Sequence, residues 1–169
     1  MITAGYAQTM ARYNRWQNRS LYAAASTLTD AQRKQDRGAF FGSLHGTLCH
    51  ILIGDQAWMH RFAGTPAPRI KSMAETAMVI TDWTELARDR QVFDAVIIAW
   101  ADRLDPTWLA GETTWHSMVA GRTLTRPNAL LVAHFYNHQT HHRGQAHCLL
   151  TGLGARPEDT DLPFMPEVA

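Results

Sequence analysis

From Pro127 to Gly152 the chain runs without an internal proline, opening on a residue suited to the first turn of a helix and closing on one suited to its stop. A helix of that length must bury one side, and here that side carries histidine. With a helical advance of about 100° per residue and His138 at zero, His142 falls at about +40°, His134 at about −40°, His141 at about −60° and Gln145 at about −20°, while His147 points away. Leu131 and Leu149 at about +20° and Phe135 at about +60° mark the same side as apolar, so His138 and His142 face inward. Residues four apart on a helix have Cβ atoms about 5 to 6 Å apart, so both imidazoles reach one metal ion. Unpaired buried imidazoles are costly, and a cation removes that cost by accepting neutral nitrogen lone pairs. No Glu follows the first His, so the HExxH arrangement of metalloproteases is absent.

Three further helices fit the rest of the chain. Tyr6, Met10, Tyr13, Leu21, Ala24 and Leu28 recur at helical spacing between Thr3 and Leu28. After a polar connection from Thr29 to Gly38, Ser43 caps a second helix reaching Gly64. The prolines of GTPAPR break it and open a link to Thr81 or Asp82, either of which can cap a third helix through Trp100 that Asp105-Pro106 ends. Residues 112–126 are compatible with a small hairpin or an ordered loop. The tail from Arg156 carries three prolines and reads as an extended arm on the surface. The expectation is therefore an all-α four-helix bundle, one domain over residues 1–169, with a long connection between helices two and three.

Composition closes off several function classes. Sixteen Lys and Arg against fifteen Asp and Glu leave a net charge of +1, no basis for attracting nucleic acid or an acidic membrane. Two cysteines, Cys49 and Cys148, do not make a disulfide framework and are expected to be reduced. The opening residues lack the apolar core of a secretory signal, and the longest uncharged stretch, Gly38 to Gly54, is interrupted by His45 and His50 and falls short of the roughly 18 apolar residues of a membrane span, so a soluble cytoplasmic protein is expected. What stands out is nine histidines and six tryptophans, the tryptophans read as core and interface.

On helix two, His50 shares a face with Gly46, Gly54 and Ala57. That small face either permits close helix packing or leaves room for a metal and a substrate. His45 lies about 140° from His50 and needs a different partner. Asp55 sits among large apolar residues and requires a partner, an Arg being the natural one, with Arg143 a candidate. Gly144 inside helix four is expected to allow another helix to approach closely, and Cys148 is expected to pack.

The segments GSLHGTLCHILIGDQAWMHRF and HFYNHQTHHRGQAHCLLTGLG, with TDLPF near the end, resemble the DinB family. The resemblance implies a bundle in up-down-down-up order, commonly dimeric, holding a divalent metal, zinc or nickel, on three histidines. Residue by residue this carries the ligands onto His50, His138 and His142, with His134, His141, Gln145 and Tyr136 as groups around them. A ligating imidazole commonly passes its other N–H to such a neighbour.

Three ligands leave a coordination position open, the arrangement of catalytic zinc. A low-molecular-weight thiol there would be favoured as thiolate and could attack an electrophilic small molecule, so the leading expectation is a metal-dependent S-transferase, in line with relatives that resemble thiol transferases. The alternatives are a metal-dependent hydrolase acting through bound hydroxide, and a non-catalytic stress-response protein whose metal is structural or sensory. A fourth protein ligand, His134 or His141, would favour the structural reading.

Overall fold

The structure, a computed structural model, describes residues 2–167. Four long helices dominate, and each begins or ends where local chemistry directs. Helix α1 (Ala4–Ser26) is capped by Thr3, whose hydroxyl accepts from the Tyr6 amide. The short α2 (Asp30–Lys34) forms inside the expected connection, because Thr29 and Gln32 make a reciprocal capping box. Helix α3 (Leu44–Ala63) starts at Ser43 and stops at Gly64, which takes a left-handed conformation at φ 67°. Within the link that follows, residues Ala74–Ala77 form one 3-10 turn. Asp82 caps α4 (Trp83–Ala101). Asp105-Pro106 does more than end that helix: Asp105 caps a further short one, α5 (Pro106–Leu109). The proline-free run is α6 (Asn128–Gly152).

The all-α four-helix-bundle expectation needs correction. Among the described residues six α-helices are joined by a two-stranded antiparallel sheet, β1 (Glu112–Ser117) and β2 (Arg122–Pro127). Its register runs from Glu112 opposite Pro127 to Ser117 opposite Arg122. Threonine and tryptophan favour a pleated, half-buried surface, and β1 alternates exposed and half-buried positions along its length. Thr114 and Thr125 hydrogen-bond across the strands at 2.8 Å. Gly121, at φ 62°, supplies the turn conformation that an L side chain rarely adopts.

Helix α1 packs on α4 and α6, and α3 packs on the same two, closing a ring. Pairs such as Arg12 with Asp102 and Asn18 with Asp94 set α1 against α4 in opposite directions. Asp55 with Arg90 and Phe62 with Trp100 set α3 alongside α4 in the same direction. Two apolar clusters fill the ring, one around Leu48, Leu52 and Leu150, the other around Met59, Ile97 and Phe135.

A buried polar layer separates them. Asp55, fully buried, accepts from Arg90 at 2.7 Å and from Gln139 at 2.9 Å. Arg90 also pairs with Asp94 at 2.9 Å, and Asp94 accepts from Asn14 and Asn18. The partner required by Asp55 is thus Arg90, whereas Arg143 donates to Asn14 and lies 5.4 Å from the Tyr13 ring. This layer ties α3, α4 and α1 to α6 at Gln139 and Arg143, each next in sequence to a candidate ligand. It therefore sets how α6 presents His138 and His142.

Two smaller expectations fail. A Cβ added to Gly144 would meet nothing within 4 Å, so no helix approaches there, and Cys148 is exposed rather than packed. Both lie on the outer side of α6. Both cysteines are free. Among the described residues no helix is long and apolar enough to cross a membrane.

Candidate metal centre

His50 of α3 and the pair His138 and His142 of α6 converge between the helices, with one ligand atom from each lying within 4.8 Å of the others. His50 Nε2 and His138 Nε2 are 3.1 Å apart. Two nitrogens bound to one tetrahedral zinc at about 2.0–2.1 Å lie about 3.3 Å from each other, so this spacing suits a shared cation. Gly54 makes the convergence possible. A Cβ there would stand 3.0 Å from His138 Cε1, so only a residue without one lets the ring lie against α3. The small face of α3 thus serves two ends: Gly54 admits an imidazole, and Ala57 lines a cavity beside it.

Hydrogen bonds fix which nitrogens are free. The Thr76 hydroxyl spends its single proton on the Met73 carbonyl at 2.6 Å, so it can only accept from His50 Nδ1 at 2.8 Å. His50 therefore carries its proton on Nδ1 and offers a lone pair at Nε2. The Gln145 carbonyl oxygen accepts from His142 Nδ1 at 2.8 Å, while its amide nitrogen reaches His141 Nε2 at 3.3 Å, so His142 too offers Nε2. His138 Nδ1 is buried without a partner. With a lone pair on His50 Nε2, His138 Nε2 must either donate to it or share a cation with it, and Nδ1 lacks a partner in both cases. The convergence of the assigned Nε2 lone pairs of His50 and His142 on His138 fits a shared cation.

Burial and mutual repulsion keep these rings neutral. Burial, followed by the neighbouring His142, lowers the His50 pKa to about 4, and burial, followed by the surrounding histidines, lowers that of His138 to about 3. Burial also lowers His142, against the opposing pull of Gln145. Neutral imidazole is the form that binds metal. The Phe41 ring stacks on His50 with centroids 3.8 Å apart and meets His142 edge-on at 5.3 Å, covering one side.

The other candidates separate. Gln145 touches His142, and His141 touches Gln145. His134 packs edge-on to Trp58 at 5.1 Å and stands 5.8 Å from His138, outside the three-histidine group. Tyr136 points elsewhere, its hydroxyl donating to the Ala7 carbonyl at 2.9 Å. His45 Nε2 bonds the Ile80 carbonyl at 2.7 Å. Thr76 and Phe41 were not singled out in the sequence. Both lie in connections without periodicity, where no pattern marks a residue as facing a site.

The centre adjoins, at His50 and His138, a cavity of about 260 Å³, walled by α3, α6, Met73 and Thr76 of the link, and the hairpin. Trp115, Ser117, Met118 and Val119 come from β1 and its turn, so the hairpin, one of two options for this stretch of sequence, supplies a wall of the candidate site.

The arrangement can be set beside known proteins. The family model described as "DinB family" matches residues 1–169. The chain is 21% identical over 156 residues to Protein DinB of Bacillus subtilis (strain 168), covering 92% of this chain and 91% of that one. Its fold is similar to the crystal structure of a DinB-like protein from Bacillus cereus ATCC 10987, with a TM-score of 0.61 at 19% identity, over 85% of this chain and 90% of that one. A match over the whole length, with the relative and the fold in agreement, leads to one conclusion: the chain belongs to the DinB family.

Proposed function

We propose that this protein is a metal-dependent transferase in which His50, His138 and His142 hold a divalent ion, zinc or nickel, and a low-molecular-weight thiol is transferred to an electrophilic small molecule. The observation that carries the reading is the meeting of three neutral imidazoles, two with assigned Nε2 lone pairs, of which His50 and His138 also line an adjoining cavity. Imidazole donors suit zinc and nickel. Bound there, the ion would supply Lewis-acid stabilisation of a thiolate at the coordination position that three protein ligands leave open.

The chain's own residues have defined parts. Thr76 and Gln145 orient His50 and His142 through their Nδ1–H groups, as the neighbours of ligating histidines commonly do. Phe41 excludes water from one side, and the cavity admits the second substrate from the other. Neither His134 nor His141 joins the group as a fourth ligand, which favours an open site over a closed structural one. In the transfer, the thiol proton leaves to solvent, a C–S bond forms at the electrophilic carbon, and the bond to the leaving group breaks with its electron pair. A homodimer and a cytoplasmic setting belong to the same proposal.

The test is elemental analysis of untagged wild type and His138→Ala, followed by mass spectrometry of wild type mixed with glutathione, bacillithiol or mycothiol and an activated aryl halide. About one divalent ion per chain, lost in the variant, with metal-dependent conjugate formation, is expected. A protein that takes up no metal refutes the reading. One that binds metal but forms no conjugate refutes the transfer step.

A further inference from the structure

The cavity beside the three imidazoles has a second chemical pole. Arg61, in the last turn of α3, lines it together with His50 and His138. Its guanidinium lies 4.6 Å from the Trp58 ring centroid and 6.0 Å from that of Trp115. Those rings are 5.6 Å apart, and Trp58 in turn packs on His134, which neighbours His138. Gly54, Ala57 and Arg61 follow one face of α3, so about 10 Å of helix axis separates the glycine under His138 from Arg61. Side chains on a helix lean toward its N-terminus, which brings the guanidinium back toward the histidines.

Arg61 is half-buried, yet among the described residues it makes no ion pair and no hydrogen bond. No Asp or Glu lines the cavity. Aromatic stacking holds the guanidinium face while leaving its N–H edge, the part that grips a carboxylate with two parallel hydrogen bonds, unused. The wall holds no second Arg or Lys, which matches a singly charged group and not a phosphate. Ile53, Ile70, Met73 and Met118 give the rest of the lining an apolar character.

We propose that the cavity takes a small molecule with an apolar body and one carboxylate, that Arg61 receives the carboxylate, and that the opposite end of the molecule is presented to His50 and His138. The proposal names the substrate class of the transferase reading and rests on that reading only for what happens at the histidine end. Arg61 is thus a binding residue, separated from the reacting atoms.

The test compares binding of 3-phenylpropionate with that of its neutral isostere 3-phenylpropionamide, followed by tryptophan fluorescence and calorimetry, in zinc-supplemented and chelator-treated full-length protein. Wild type is expected to bind the acid at least about tenfold more tightly than the amide, as a charge-assisted pair would give. That preference should vanish in Arg61→Gln, persist in part in Arg61→Lys, and survive chelator treatment. An acid preference that remains in Arg61→Gln, or acid and amide binding alike in wild type, overturns the proposal; the wild-type comparison decides even where a variant folds poorly. Acid binding through Arg61 in a protein that takes up no zinc would sink the metal reading alone. Zinc uptake without acid preference would sink this one alone.

Discussion

Replacing Gly54 by Ala separates the metal centre from the stability of the helix that carries it. The new Cβ would stand 3.0 Å from His138 Cε1. Relief to ordinary contact requires the ring to withdraw by about 0.4 Å, and because Cε1 is bonded to both ring nitrogens, Nε2 moves with it. A zinc–nitrogen bond tolerates about 0.2 Å, so the displacement is about twice what the centre can absorb. For folding, two effects oppose each other: alanine in a helix gains roughly 0.5–1 kcal/mol over glycine, and crowding a packed site costs about 1–3 kcal/mol. The net change lies between neutral and a loss of about 2.5 kcal/mol. Gly144→Ala is the control, since nothing lies within 4 Å of its Cβ position. It should gain the full roughly 0.5–1 kcal/mol, a rise of about 1–4 °C in Tm. Zinc affinity, measured by competition with a chromophoric chelator, should fall at least about tenfold in Gly54→Ala and hold in Gly144→Ala. If Gly54→Ala binds zinc within about twofold of wild type, the ring at Gly54 is not a ligand and the reasoning fails.

Three other perturbations probe the same architecture. Thr76→Val removes the acceptor of His50 Nδ1–H, and zinc affinity should fall about 10- to 100-fold with little change in the far-ultraviolet spectrum; undiminished affinity would show that Thr76 does not orient the ring. Asp55→Ala strips one partner from a buried ion pair and should cost about 3–5 kcal/mol in urea unfolding, toward the lower end because Arg90 keeps Asp94; a loss under about 1 kcal/mol would contradict the pairing described. In metal-free protein, burial and the neighbouring histidines hold His50 at about 4 and His138 at about 3, below the 6.5 of a free imidazole. The unfolded chain then binds more protons than the folded one between those values, so stability must fall as pH drops from about 6.5 toward 4. A Tm constant over that window, or an equal slope in His50→Gln/His138→Gln, would refute it.

How much of this was legible in the sequence depended on how local the cause was. The cap at Ser43, the cap at Thr81 or Asp82 and the end at Gly64 were readable, because each depends on a residue and its own neighbouring backbone. The inward facing of His138 and His142 followed from helical periodicity, which is a property of the backbone. Whether His50 met them did not follow, since that requires knowing that α3 and α6 are neighbours and in what register. The buried layer of Asp55, Arg90, Asp94 and Gln139 sets that register, and its members are spread over three helices. Asp55 announced that it needed a cation, but only packing could choose Arg90 over Arg143. The hairpin was readable as one of two options; an isolated two-stranded ribbon is marginal by itself, and its place against α3 and α6 decides that it forms. Gly144 misled because a helical glycine looks the same whether a neighbour approaches it or solvent does, and Gly54, the glycine that does admit another group, carries no different local signal. Chain chemistry thus determined the helices and the ligand-bearing face. Tertiary structure decided which faces meet, because contact between residues far apart in sequence depends on the packing of the whole ring and not on any one segment.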